Sequence, residues 1–243
     1  MDEFEVIMRV IFVFLLTFIS EAFGLNALFT LCNAELERNA ISIPTQLIKT
    51  TNETLNVHFS FIQMESMNLL NSENLLNLTL LDPSYSKLLT STRIKVLPLL
   101  IYTQIINESR SKRLLDCIDF VFGQFEIMTC GLQVIPSGDQ LSKHQTIFKG
   151  LTSFILVVQG NLKCKLEFEE RSFELKTKAS AFFDSTRLHA IKNDSNDDLV
   201  LLRCEIRRPI KGISDVLNQT ILQVIGTSKA TYEACLKSTS NST

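Results

Sequence analysis

Tryptophan is absent from this sequence, and histidine occurs only three times, at His58, His144 and His189. So few imidazoles exclude a histidine-rich metal centre. Glycine is scarce, with none between Gly24 and Gly123, so that stretch is not a flexible Gly/Ser linker. Charge of one sign is also lacking. The formal net charge is −2, which excludes an overall basic field for non-specific nucleic-acid binding. The six cysteines (Cys32, Cys117, Cys130, Cys164, Cys204 and Cys235) include no CxxC pair, which argues against a zinc site built from cysteines. An even count permits disulfides, and scattered buried thiols fit equally well.

What is present is 243 residues, 45% hydrophobic and 21% charged, enough for one domain of ordinary size plus extra segments. After Arg9 comes VIFVFLLTFI, Val10–Ile19, with the length of a signal-peptide core and too short to span a membrane. Ala22 and Gly24 have cleavage-site spacing, whereas Asp2, Glu3 and Glu5 are foreign to a signal n-region. N-x-S/T sequons follow at Asn52, Asn77, Asn107, Asn193, Asn218 and Asn241. Alone, this segment favours secretion; a hydrophobic first strand or helix is the alternative.

Residues 25–90 show little clear period. Met64–Leu81 is apolar enough for a helix, but Asn68, Asn71 and Asn74 weaken it. Pro98 disfavours helix at Leu97, and RSKR (Arg110–Arg113) is a small basic patch or a solvated face.

From Phe125 the pattern changes. GLQVIP runs into a Pro-Ser-Gly-Asp turn. SFILVVQG is a continuous apolar run ended by Gly160, as in a strand buried on both faces. LKCKLEFE alternates, which puts Leu162, Cys164, Leu166 and Phe168 on one face. SFEL returns as its hairpin partner. Further strands are expected at Ala181–Phe183, His189–Lys192 and Leu199–Ile206, with NDSNDD as a turn. Short strands at this spacing predict a sandwich or barrel. Beyond Pro209, Ile213, Leu217, Ile221 and Val224 keep a helical period, with Ser214 as a candidate cap.

The order of features resembles the cupin family of jelly-roll barrels. Gly138 and His144 have the spacing of its first motif, and His189-Ala-Ile-Lys-Asn193 that of its second. A cupin metal site implies three imidazoles and a carboxylate. Here Thr146 stands for the second histidine, and Leu151–Ile155 holds no acid, so only His144 and His189 remain. The run Phe183-Asp184-Ser185 before His189 is similar to that of the aspartyl/asparaginyl hydroxylases. Those enzymes need an arginine for the carboxylate of 2-oxoglutarate. The strand that would supply it reads SFILVV and offers no such clamp.

A longer run resembles the metal-free cupins of the centromere protein C type. GLQVIPSGD, FILVVQG, LKCKLEFEERSFEL, AFF, HAIKN and LVLLRCEIRR follow in that family's order. Upstream, Arg93, Pro98 and Tyr102 approximate its nucleosome-binding motif, without the tryptophan. The resemblance implies dimerisation through a barrel face, with Phe154, Leu156 and Val158 as dimer-strand candidates; a helix over 212–226 covering that face is the alternative.

The sequence thus predicts an all-β cupin jelly-roll (a double-stranded β-helix barrel) over 126–208. A C-terminal helix and polar tail occupy 209–243, a partly helical region 25–122, and the leader 1–24. The resemblance implies a non-enzymatic homodimerisation scaffold of the inner kinetochore, in the nucleus, with centromeric nucleosomes or kinetochore proteins as partners. No catalytic residue, cofactor or small-molecule substrate is expected. The alternatives are a secreted glycosylated cupin-like binding protein, and a metal-dependent (iron/2-oxoglutarate-like) cupin oxygenase using His144 and His189.

Overall fold

The computed structural model describes residues 25–40, 53–73, 75–77, 93–102, 104–106, 108–122, 126–146 and 148–227. The leader over 1–24, the sequons at Asn52, Asn107 and Asn241, and Cys235 lie outside them.

The molecule is a jelly-roll barrel of two antiparallel sheets with a C-terminal helix. Three helices and three strands come first or lie between: α1 (Leu25–Asn39), α2 (Glu53–Ser72), β1 (Leu76–Asn77), β2 (Lys95–Ile101), β3 (Gln104–Ile105) and α3 (Glu108–Phe122). The barrel strands follow as β4 (Ile127–Ile135), β5 (Gln140–His144), β6 (Leu151–Gln159), β7 (Cys164–Phe168), β8 (Arg171–Glu174), β9 (Ser180–Phe183), β10 (His189–Asn193) and β11 (Leu199–Arg207). Helix α4 (Ile213–Thr227) closes the described chain. One sheet is seven-stranded, ordered β1-β2-β4-β11-β6-β9 with β3 on β2; the other is four-stranded, ordered β5-β10-β7-β8.

The strand patterns explain the two layers. On β6, Ile155 and Val157 turn into the barrel, where they meet Ile135, Leu166, Ile191 and Leu201. The alternate residues Phe154, Leu156 and Val158 turn outward onto a second core. That core is closed by helices α2 and α3. Leu55, Phe59, Ile62, Ser66 and Leu69 are all buried on α2, spaced four and three apart along one stripe. On α3 the stripe is Ser111, Leu114, Ile118 and Phe122. A third cluster joins Cys32 and Leu36 of α1 to Ile221, Leu222 and Ile225 of α4.

Several sequence expectations change here. The region read as aperiodic forms two helices, because tertiary burial of one stripe outweighs the asparagines. The sheet begins before residue 126, since β2 pairs with β4 from Lys95↔Val134 to Ile101↔Thr129. Leu162 is 58% exposed, because the chain is still in a turn before Cys164. Ser214 does not cap α4; its hydroxyl donates to Glu35 Oε1 on α1 at 2.9 Å. The RSKR residues lie on α3, where Arg110 pairs with Glu73 and Arg113 with Glu65 of the preceding segment. The β4–β5 turn is as expected. Gly138 takes φ +76°, which favours glycine, and its N–H donates to the Asn193 carbonyl at 2.9 Å.

Candidate active site

His144 ends β5 and His189 begins β10, and the two are direct partners across the four-stranded sheet. Leu141 pairs with Ile191, three residues before His144 but only two after His189. That irregularity adds one residue on β5. It turns His144 to the same barrel face as Leu141, which plain alternation would not do. The imidazole centroids stand 4.1 Å apart, tilted by 51°. Phe183 meets His189 edge-on at 5.0 Å, and Phe168 pairs with it across β7.

Each ring is fixed by its own backbone. His144 Nδ1 lies 2.8 Å from the Ser142 carbonyl, and His189 Nδ1 lies 2.9 Å from the Arg187 carbonyl. A carbonyl only accepts, so Nδ1 carries the proton in both rings, and the Nε2 lone pair is the one left over. His189 Nε2 is buried and makes no hydrogen bond within the protein. Burial first, then the charge of Arg203, pushes the His144 pKa down to about 4. Burial, then His144, then Arg203 pushes His189 down to about 3. Both rings are therefore neutral at pH 7, the form that binds a metal.

Beside them lies a polar layer from the other sheet. Leu199 and Leu201 of β11 face into the barrel, so Arg203 and Glu205 have the same parity and follow them inward. Arg203 donates to Glu205 Oε1 through Nε at 3.1 Å and Nη2 at 2.9 Å. Ser153 Oγ donates to the same oxygen at 2.7 Å. Glu205 Oε2 and both amide atoms of Gln133 are buried without a hydrogen-bond partner in the protein. Buried polar atoms of that kind call for a ligand or water. Arg203 would disfavour a second cation nearby, and its pairing with Glu205 offsets that charge.

These residues fit a metal in part. Two neutral imidazoles present Nε2 from a rigid sheet pair, as ligands held by a backbone carbonyl behind them do. Among the described residues, no group of three or more His, Cys, Asp and Glu side chains could hold a metal ion. Asp184, from the Phe-Asp-Ser run, is used elsewhere. It accepts from Arg208 Nη2 at 2.7 Å and from the Thr186 hydroxyl at 2.6 Å.

The other sequence candidates are not gathered at this site. Arg93 pairs with Asp139 at 2.8 Å. Pro98 sits within β2 opposite Gly131, and Tyr102 packs on the α1–α4 cluster. They form a sheet strand and its end, not an extended free peptide. Phe154, Leu156 and Val158 lie under α2 and α3, and Gln63 of α2 donates to the Val158 carbonyl at 2.8 Å. The covering elements are those two helices rather than α4. Two sequons are closed to glycosylation in the folded chain, because Asn193 and Asn218 are 0% exposed. Arg203, Glu205 and Gln133 escaped the sequence reading; the parity of LVLLRCEIR, apolar then charged on one face, was the available signal.

The aspartyl/asparaginyl beta-hydroxylase family model matches residues 104–209. No curated protein matches the chain. Three solved structures are similar to parts of the chain. One is an oxidoreductase of the 2OG-Fe(II) oxygenase family from Burkholderia pseudomallei. It is 12% identical, with 64% of this chain and 81% of that chain covered and a TM-score of 0.45. The second is a Cupin_2 domain of an XRE family transcriptional regulator from Enterobacter cloacae, 14% identical, covering 48% and 97%, with a TM-score of 0.34. The third is the Cnp3 cupin domain of Schizosaccharomyces pombe, 12% identical, covering 47% and 61%, with a TM-score of 0.34. At these TM-scores the likenesses say nothing about activity. The family match does overturn one expectation. The matched family is one of enzymes, and its match spans both histidines, so the non-enzymatic reading drawn from the resemblance is corrected.

Proposed function

We propose that this chain is an oxygenase of the aspartyl/asparaginyl hydroxylase type, with His144 and His189 holding one iron(II) ion and 2-oxoglutarate as co-substrate. One observation carries the reading: two directly paired imidazoles whose Nδ1 protons are tied to backbone carbonyls, leaving both Nε2 lone pairs inside the barrel. When bound, the metal would supply oxygen activation coupled to oxidation of the oxo acid. The protein's own part is to keep both rings neutral, orient them, and exclude water with Phe168 and Phe183. The strand β6 brings Ser153, Ile155 and Val157 to the interior, so the positive charge for a carboxylate comes from Arg203 on β11 instead. With two protein ligands, the remaining metal positions are left to small acids and water.

Neither feature of the centromeric reading is favoured. The β6 outer face is covered by the chain's own helices, and Arg93 to Tyr102 belongs to the sheet and its end.

The full chain supplied with iron(II), ascorbate, 2-oxoglutarate and an Asp- or Asn-containing peptide should release succinate. His144→Ala and His189→Ala should abolish it, and Arg203→Gln should raise KM for 2-oxoglutarate about 10-fold or more. Metal-loaded, folded protein that releases no succinate above a metal-free control with any such peptide contradicts the proposal.

A further inference from the structure

Cys130 of β4 and Cys204 of β11 are direct partners in the antiparallel register. Both point to the outer face, into the core under α2 and α3, and both are nearly fully buried. Their Sγ atoms are 3.1 Å apart. No other pair of the described cysteines is held this way. Cys164 contacts Asn161, Asn193 and Ser195, and Cys32 and Cys117 belong to different cores.

We propose that Cys130 and Cys204 are a modification site that closes to a disulfide joining β4 to β11, with a low-molecular-weight disulfide as oxidant. One thiolate attacks the small disulfide, forms a mixed disulfide and expels one small thiolate. The second protein thiolate then attacks the protein sulfur and expels the other. The two protons of the protein thiols end on the two small thiols. Two electrons pass from the protein to the oxidant.

The covered geometry sets when this happens. The hydrogen bond that the Cys204 thiol donates to Cys130, with burial, holds Cys204 protonated in the folded chain. Leu114, Ile118 and Phe122 of α3 lie over the same core. Exchange therefore proceeds while α2 and α3 are off the sheet, during folding or on opening, and is slow once they dock. The link would tie β4 to the strand that carries Arg203 and Glu205 on its opposite face.

The test is refolding of the full chain in a glutathione disulfide buffer and, separately, in dithiothreitol, followed by alkylation in denaturant and peptide mapping by mass. The expected result is four alkylatable thiols of the six after oxidation, against six after reduction, with one linked peptide joining Cys130 to Cys204. Tm should rise on the order of 10 °C in the oxidised form and fall back on reduction. Cys204→Ala should retain all its thiols and lose the shift. Six free thiols after oxidative refolding, or a linked peptide joining any other cysteines, overturns the proposal. The mapping is done on the natural chain, so it stands even where a variant folds poorly.

Discussion

At the scale of single residues, the site rests on where two protons sit. A histidine free in water titrates near 6.5, whereas His144 and His189 are held down to about 4 and about 3. Between those values the unfolded chain binds more protons than the folded one, so stability rises with pH. The contribution is complete above about pH 6.5 and is lost as pH falls toward the folded values. By pH 5 each ring has given up about 2 kcal/mol, at about 1.4 kcal/mol per pH unit. The variant His144→Gln/His189→Phe should therefore lose roughly 4 kcal/mol less stability than the natural chain between pH 7 and pH 5. Urea unfolding at the two pH values measures this; parallel losses would show that the rings are not buried neutral. Asn193 illustrates the other use of a polar residue. Its amide donates to the Ile135 and Asp197 carbonyls, and its carbonyl oxygen accepts from Ser195, so in the folded chain the side chain closes a turn.

At the scale of elements, α2 and α3 decide what β6 can do. Phe154 is buried between Phe122 at 4.5 Å and Phe182 at 4.7 Å. Truncating it leaves a cavity under the helices, and Phe154→Ala should cost about 3–5 kcal/mol. Lys112→Ala, at the exposed ion pair with Asp116 on α3, should cost less than about 1 kcal/mol. Denaturant midpoints compare the two; a small loss for Phe154→Ala would show that this face is open. The barrel strands were legible because burial on one or both faces writes a period of two, as in LKCKLEFE and SFILVV. Helix α2 was not, because its signal is a sparse stripe, Leu55 to Leu69, diluted by asparagine and serine. Its stability comes from the sheet it covers rather than from propensity. The meeting of His144 and His189 depends on a one-residue irregularity in β5, and no local pattern encodes a bulge of that kind.

At the scale of the whole molecule, one barrel serves two cores. The interior is apolar at one end, with Ile135, Leu199 and Leu201, and polar at the other, with the histidines, Arg203 and Glu205. A buried polar layer of this sort is costly unless a ligand or water satisfies it. The sequence showed two histidines and a missing acid, which argued against a metal. The structure keeps the acid missing and adds what the sequence lacks, the orientation and neutrality of both rings. The central claim is therefore a two-histidine metal site, and cobalt(II) titration of the full chain followed by visible absorption tests it most directly. The account predicts ligand-field bands that saturate at one cobalt(II) per chain and disappear in His144→Ala and in His189→Ala. Saturating bands that persist unchanged in both variants, or no bands in the natural folded chain, would contradict it.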